Sequence, residues 1–151
     1  LPIVFNSGGY DLTDTLKLLE GIVDIYMPDL KFYNDDAAKK YLGVKNYGRI
    51  SKDAVKEMFR QTGNLETDRD GIAYRGLLIR HLVLPENLAA SDDIFSFIAH
   101  ELSPDTYVNV MEQYHPCHKA GSYPELNRCL APGEYKKALQ AAKAAGLKRL
   151  G

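Results

Sequence analysis

Four short apolar runs, at about 1–5, 22–27, 77–84 and 107–111, alternate along the chain with stretches of helical periodicity. That alternation constrains the fold more than any other feature. Strands separated by helices do not pair as hairpins. Each reaches its neighbour by a right-handed crossover, and the product is a parallel sheet. The runs are almost continuously apolar, as in strands buried on both faces. The fold class expected is α/β.

The first run, Leu1–Phe5, ends in the turn residues Asn6-Ser7-Gly8-Gly9. Leu12, Leu16 and Leu19 then predict a helix from about Asp11 or Thr13 to Glu20, stopped by Gly21. The second run, Ile22–Met27, is broken by Pro28, and the loop Asp29–Tyr33 leads to a helix over Asp36–Leu42. A further helix is expected over Ser51–Thr62, with Ser51 as its N-cap, Val55, Met58 and Phe59 facing inward, and Gly63 ending it. Asp68-Arg69-Asp70-Gly71 marks a turn, so residues 65–75 read as a small hairpin. Pro85 stops the third run, Leu77–Leu84. Ser91–Leu102 reads as a helix capped by Ser91, with Ile94, Phe95, Phe97, Ile98 and Leu102 apolar. After the fourth strand, Tyr107–Met111, a long loop over 112–131 precedes a last helix, Pro132–Ala145, with Gly146 as its C-cap.

With 151 residues and no repeat, linker or low-complexity stretch, residues 1–151 read as a single domain. A closed eight-stranded barrel takes about 250 residues. About four parallel βα units therefore make either an open sheet or the later part of a partial barrel. The chain begins inside an apolar run, and the expectation from this is a truncated N-terminus. The 19 basic residues against 20 acidic ones argue against a general nucleic-acid or membrane-surface binder. No apolar run approaches the roughly 20 residues of a membrane span, and no signal-peptide pattern opens the chain. Cys117 and Cys129 are too few for a disulfide framework, and the expected setting is cytoplasmic.

Ligands of parallel α/β folds bind at the carboxyl ends of the strands, so the polar residues there are the candidates. The first strand delivers Asn6 and Ser7, which serve a tight turn equally well. The second delivers Asp29 and Lys31, which would also make a simple loop ion pair. Arg80 lies within an apolar strand and must find acceptors or line a cavity, because an unpaired buried charge is costly. Its neighbour His81 points the other way, toward the helices, as a hydrogen-bonded structural histidine. The fourth strand delivers Glu112, Gln113, Tyr114 and His115. His115-Pro116-Cys117-His118 with Cys129 fits no usual zinc spacing, and reads as an ordered loop with two free thiols. His100 reads as a solvated helix residue.

Five blocks in one order carry a resemblance. They are Pro2–Tyr10 (PIVFNSGGY), Ile25–Phe32 (IYMPDLKF), Leu78–Pro85 (LIRHLVLP), Tyr107–Pro116 (YVNVMEQYHP) and Tyr123–Arg128 (YPELNR). Together they resemble the C-terminal half of radical S-adenosylmethionine proteins, in particular the homologues of pyruvate formate-lyase activating enzymes. The resemblance implies the C-terminal part of a partial (β/α)6 TIM-like barrel, not closed. It also implies a 4Fe-4S cluster that reduces S-adenosylmethionine to methionine and a 5′-deoxyadenosyl radical. Such a radical abstracts hydrogen from a substrate, which in activating enzymes is a glycyl residue of a partner protein; the electron comes from a small donor such as flavodoxin or ferredoxin.

By the same resemblance, Asp29 and Lys31 lie beside S-adenosylmethionine and a monovalent cation, with Asn6 and Ser7 near that cation and the methionine carboxylate. Arg80 and His115 face the cofactor. The C-x3-C-x2-C loop that holds such a cluster is not among these residues, and Cys117 and Cys129 do not replace it. The chain by itself is expected to be inactive. Two alternatives remain: a noncatalytic α/β module that binds a ligand or partner without a cluster, and a metal-dependent barrel enzyme using His115, Asp29 and Glu112.

Overall fold

The computed structural model describes residues 1–151. The elements run β1 (Val4–Ser7), α1 (Thr13–Lys17), β2 (Ile25–Pro28), α2 (Asp35–Leu42), α3 (Tyr47–Thr62), β3 (Glu66–Thr67), β4 (Ala73–Leu82), α4 (Ser91–Phe97), β5 (Tyr107–Met111), α5 (Pro132–Ala144) and β6 (Arg149–Leu150). The fold is α/β with one mostly parallel sheet, and the sheet does not close. No helix is long and apolar enough to cross a membrane.

The strands lie in the order β1-β2-β4-β5-β6, with β3 as the antiparallel partner of β4 across the Asp68–Gly71 turn. Apart from that hairpin, sheet order follows chain order. Every crossover therefore steps the same way, and a constant right-handed sense puts the crossover helices on one face. Leu16 of α1, Val55 and Met58 of α3, Phe95 of α4 and Ala142 of α5 share one core with Tyr26, Leu77, Ile79, Val108 and Val110 of the strands. Burying that set is the main drive for the fold.

The opposite face differs. Along β4 and β5 each buried position alternates with a half-buried one, so Leu78, Arg80 and Leu82, then Asn109 and Met111, all retain solvent contact. Burial on both faces, expected from the apolar runs, is thus met on one face only. Cover on the second face comes at its carboxyl end, where Phe32, Ala38, Tyr47, Leu84, Ala89 and Leu126 form a smaller core beside α2.

Several boundaries move. β1 begins at Val4 and runs on through Asn6 and Ser7, which pair with Met27 and Pro28 rather than turning. β2 starts three residues later than expected and includes Pro28, whose missing N–H interrupts the β2–β4 ladder between the Tyr26–Leu77 pair and the Asp29–Arg80 bridge. α3 begins at Tyr47, so Ser51 is an interior residue whose hydroxyl bonds the Gly48 carbonyl, and Asn46 takes the N-cap position. Ser91 is likewise the first residue of α4, after Ala90 at the N-cap. The helix expected to reach Leu102 changes at Ile98 to a wider π turn, closed by Ser103 N–H on the Ile98 carbonyl at 3.0 Å. β6 pairs with β5 and was not anticipated.

Candidate functional site

The carboxyl ends of β1, β2 and β4 are locked by backbone bonds that continue past the strands. Asp29 N–H donates to the Ser7 carbonyl at 3.0 Å, and Leu30 N–H to the Arg80 carbonyl at 2.9 Å. Asp29 is thereby set opposite Arg80 on the open face. A buried tyrosine, Tyr47, completes the frame. Its hydroxyl lies 2.9 Å from the Gly8 carbonyl and 3.1 Å from that of Asp29, and it accepts Lys31 N–H at 3.1 Å. Burial pushes this phenol above the usual tyrosine range, so it stays protonated and donating. Replacing Tyr47 with phenylalanine leaves these groups short of a partner. The expected loss is about 1–3 kcal/mol of stability, measured by urea unfolding.

Gly9 makes this close approach possible. Its φ is +76°, and a Cβ there would overlap the Asp29 carbonyl oxygen. Gly9→Ala is expected to destabilise by roughly 1–3 kcal/mol and to displace Asp29, seen as lost amide signals around residues 7–9 and 29–31.

On this frame sits an ionic cluster. Arg80 donates Nε to Asp29 Oδ1 at 2.9 Å, with Nη2 in ion-pair contact with the same oxygen at 2.7 Å, while Lys31 Nζ donates to Oδ2 at 2.5 Å. Arg80 Nη2 also reaches Asn6 Oδ1 at 3.1 Å. The Asp29 side chain is only 17% exposed, and Arg80 28%. Two cations against one carboxylate leave one net positive charge at the strand ends. That surplus suits an added anionic group, and the arginine fork offers planar recognition of a carboxylate.

Asn6, Asp29, Lys31 and Arg80 are therefore brought together. The other two candidates are placed elsewhere. Ser7 alternates to the opposite side of β1 from Asn6, where its hydroxyl donates to Asp11 at 2.6 Å and accepts Gly9 N–H at 3.1 Å. His115 is exposed, with Nδ1 3.5 Å from the Cys129 sulfur. No three His, Cys, Asp or Glu side chains stand together as a metal-holding group, so His115, Asp29 and Glu112 do not form the ligand set of the metal-enzyme alternative.

Asp29, Lys31 and Arg80 form one wall of a cavity of about 540 Å³. It extends over Leu82 and Met111 beneath the loop after β5, toward Leu84 and Leu126. The loop is latched onto α2. Glu125 accepts from Lys40 Nζ at 2.6 Å and from the Tyr41 hydroxyl at 2.7 Å, while Tyr123 donates to the Lys40 carbonyl at 3.0 Å. Those donors hold the Glu125 carboxyl down at about 2. Neither Tyr47 nor this latch was singled out from the sequence. The run of tyrosines at 41, 47, 114 and 123 was the available signal, because a buried phenol needs a partner.

His81 behaves as expected. It is fully buried, with Nδ1 2.7 Å from the Leu30 carbonyl and Nε2 2.8 Å from Ser91 Oγ, edge-on to Phe95. The carbonyl only accepts, so the proton sits on Nδ1 and Nε2 accepts from the serine.

No protein-family model matches the chain. It is similar to an uncharacterized protein of Methanocaldococcus jannaschii, with 38% identity over 144 residues. The match takes in 95% of this chain and 38% of that protein, so the chain spans well under half the length of its relative.

Proposed function

We propose that this chain is the S-adenosylmethionine-binding part of a radical S-adenosylmethionine protein of the activating-enzyme type. One observation carries the proposal: Asn6, Asp29, Lys31 and Arg80 converge at the carboxyl ends of adjacent strands on the half-exposed face of a sheet whose crossovers all run in one sense. A doubly wound sheet would reverse its strand order and cover both faces. A single sense with one face left open is the arrangement of a (β/α) barrel wall, whose inner face holds the ligand. This supports the partial (β/α)6 barrel.

The residues present fit S-adenosylmethionine. Arg80 and Lys31 supply the positive surplus for its carboxylate, the Asn6 carbonyl oxygen is an acceptor for its ammonium, and Asp29 holds both cations in place. They do not fit the cluster. Cys117 and Cys129 are both exposed, they lie on the loop after β5, and two thiolates fall short of the three that a 4Fe-4S site with one open iron requires. On this proposal the cluster ligands come from residues outside these 151. A reduced cluster held by those residues would supply the one electron that cleaves bound S-adenosylmethionine to methionine and a 5′-deoxyadenosyl radical. A glycyl residue of a partner protein as hydrogen donor, and flavodoxin or ferredoxin as electron source, belong to the same proposal.

The coding sequence upstream of Leu1, expressed with this chain under anaerobic conditions, provides the test. A C-x3-C-x2-C loop in that polypeptide and dithionite-dependent release of 5′-deoxyadenosine are the expected results. The cysteine content of this chain favours a second reading, a noncatalytic binding module. That reading takes over if the polypeptide binds S-adenosylmethionine but carries no such loop and cleaves nothing.

A further inference from the structure

The half of the cavity farthest from the β1 turn lies beyond the ionic cluster assigned above to the amino-acid end of the cofactor. Beyond Arg80 its lining turns apolar, through Leu82, Met111, Leu84 and Leu126, with Phe32 stacked at 5.8 Å on Tyr41. At about 540 Å³ the whole space is the size of a small-molecule site. Its charges are unbalanced. Lys40 is neutralised by Glu125, and Lys31 and Arg80 share Asp29. Lys119, on the short 3-10 turn His118–Ser122 at the cavity rim, has no acidic partner. A cation without a partner at the mouth of an apolar space selects an anion that carries a hydrocarbon body. A neutral apolar guest would gain nothing from Lys119, and a cationic one would be repelled by it.

We infer that this end of the cavity binds a small organic acid, its aryl or branched alkyl body on Phe32, Leu82, Leu84 and Leu126 and its carboxylate at Lys119. The inference goes beyond the cofactor proposal and does not depend on it, since the acid needs neither adenosyl group nor cluster. The latch of Glu125 to Lys40 and Tyr41 keeps the loop over the bound acid, and Tyr123, edge-on to Tyr41 at 5.2 Å, closes the side of the space.

The test uses 3-phenylpropionate, its uncharged amide and 3-phenylpropylamine, each titrated into the 151-residue chain and followed by amide-resolved NMR. The acid is expected to bind in saturable fashion, with shifts centred on Leu82, Leu84, Lys119 and Leu126. The amide should bind at least tenfold more weakly, and the amine not at all. Lys119 is exposed, so Lys119→Glu should keep the fold by circular dichroism while reducing the affinity for the acid at least tenfold. A parallel titration with S-adenosylhomocysteine separates the two proposals: simultaneous binding of both ligands is expected where the nucleoside binds, and its failure to bind leaves the acid result standing. Equal affinity for acid and amide, indifference to Lys119→Glu, displacement of the acid by S-adenosylhomocysteine, or no saturation of the shifts by 10 mM acid would each overturn the inference.

Discussion

Arg80→Gln is expected to weaken S-adenosylmethionine binding by roughly 10- to 100-fold. The arginine makes two hydrogen bonds from one planar group, one to Asp29 and one to Asn6, adds an ion-pair contact of Nη2 with Asp29, and contributes the cationic surplus at the strand ends. A charge-assisted bond in a partly buried site is worth about 1.5–3 kcal/mol, and about 1.4 kcal/mol is a factor of ten in affinity. Glutamine removes the positive charge and leaves Lys31 to balance Asp29 alone, with no surplus for a carboxylate. Arg80→Lys keeps the charge but loses the fork, so it should recover only part of the loss. Calorimetric titration of the three proteins, each checked for unchanged circular dichroism, reads the effect. Equal affinity in all three would remove Arg80 from the site.

The second large effect concerns stability and its dependence on pH. Burial pushes His81 down to about 4 in the folded protein, against an ordinary value of 6.5. The unfolded chain therefore takes up a proton between pH 6.5 and 4 that the folded chain refuses. Stability from this group is complete above pH 6.5 and is lost as the pH falls toward 4, by roughly 3 kcal/mol in all. The carboxyls of Glu57, Glu125 and Glu134 are held at about 2 by their donors. Their contributions disappear below about 4.5, so the upper part of the acid window belongs to His81. His81→Leu should cost about 2–4 kcal/mol at pH 7, since the Leu30 carbonyl and the Ser91 hydroxyl lose their partner. It should also flatten the stability curve between pH 6.5 and 4.5. Urea unfolding across that range checks both, and a slope unchanged in the variant would assign the acid sensitivity elsewhere.

Much of this architecture was legible in the residues. The alternation of apolar runs and helical periodicity gave the parallel sheet, and the Asp68–Gly71 turn gave the β3–β4 hairpin. The orientation of His81 followed from strand alternation beside Arg80. What the residues concealed has physical causes. Asn6 and Ser7 are polar and precede two glycines, so they read as a turn, yet backbone pairing to β2 holds them extended. Gly48 looks like a helix breaker near the start of α3. It is tolerated because its bare Cα packs against the Tyr33 carbonyl, where a side chain would collide. β6 is two residues long and carries no periodicity at all. In the site, Asn6, Asp29, Lys31 and Arg80 meet as strand-end residues of neighbouring strands. Ser7 and His115 do not join them, because one takes the opposite parity of its strand and the other lies on a loop whose path no local pattern fixes. Tyr47 stayed hidden for a similar reason, since its three partners come from segments far away in sequence.

The most direct measurement is a titration of the chain with S-adenosylhomocysteine, read by backbone amide shifts. Saturable changes at Asn6, Asp29, Lys31 and Arg80, absent when adenosine alone is added at the same concentration, are the expected result. They would place the amino-acid end of the ligand on the ionic cluster. Shifts confined to other surfaces, or none at millimolar ligand, would contradict the claim that these strand ends form an S-adenosylmethionine site.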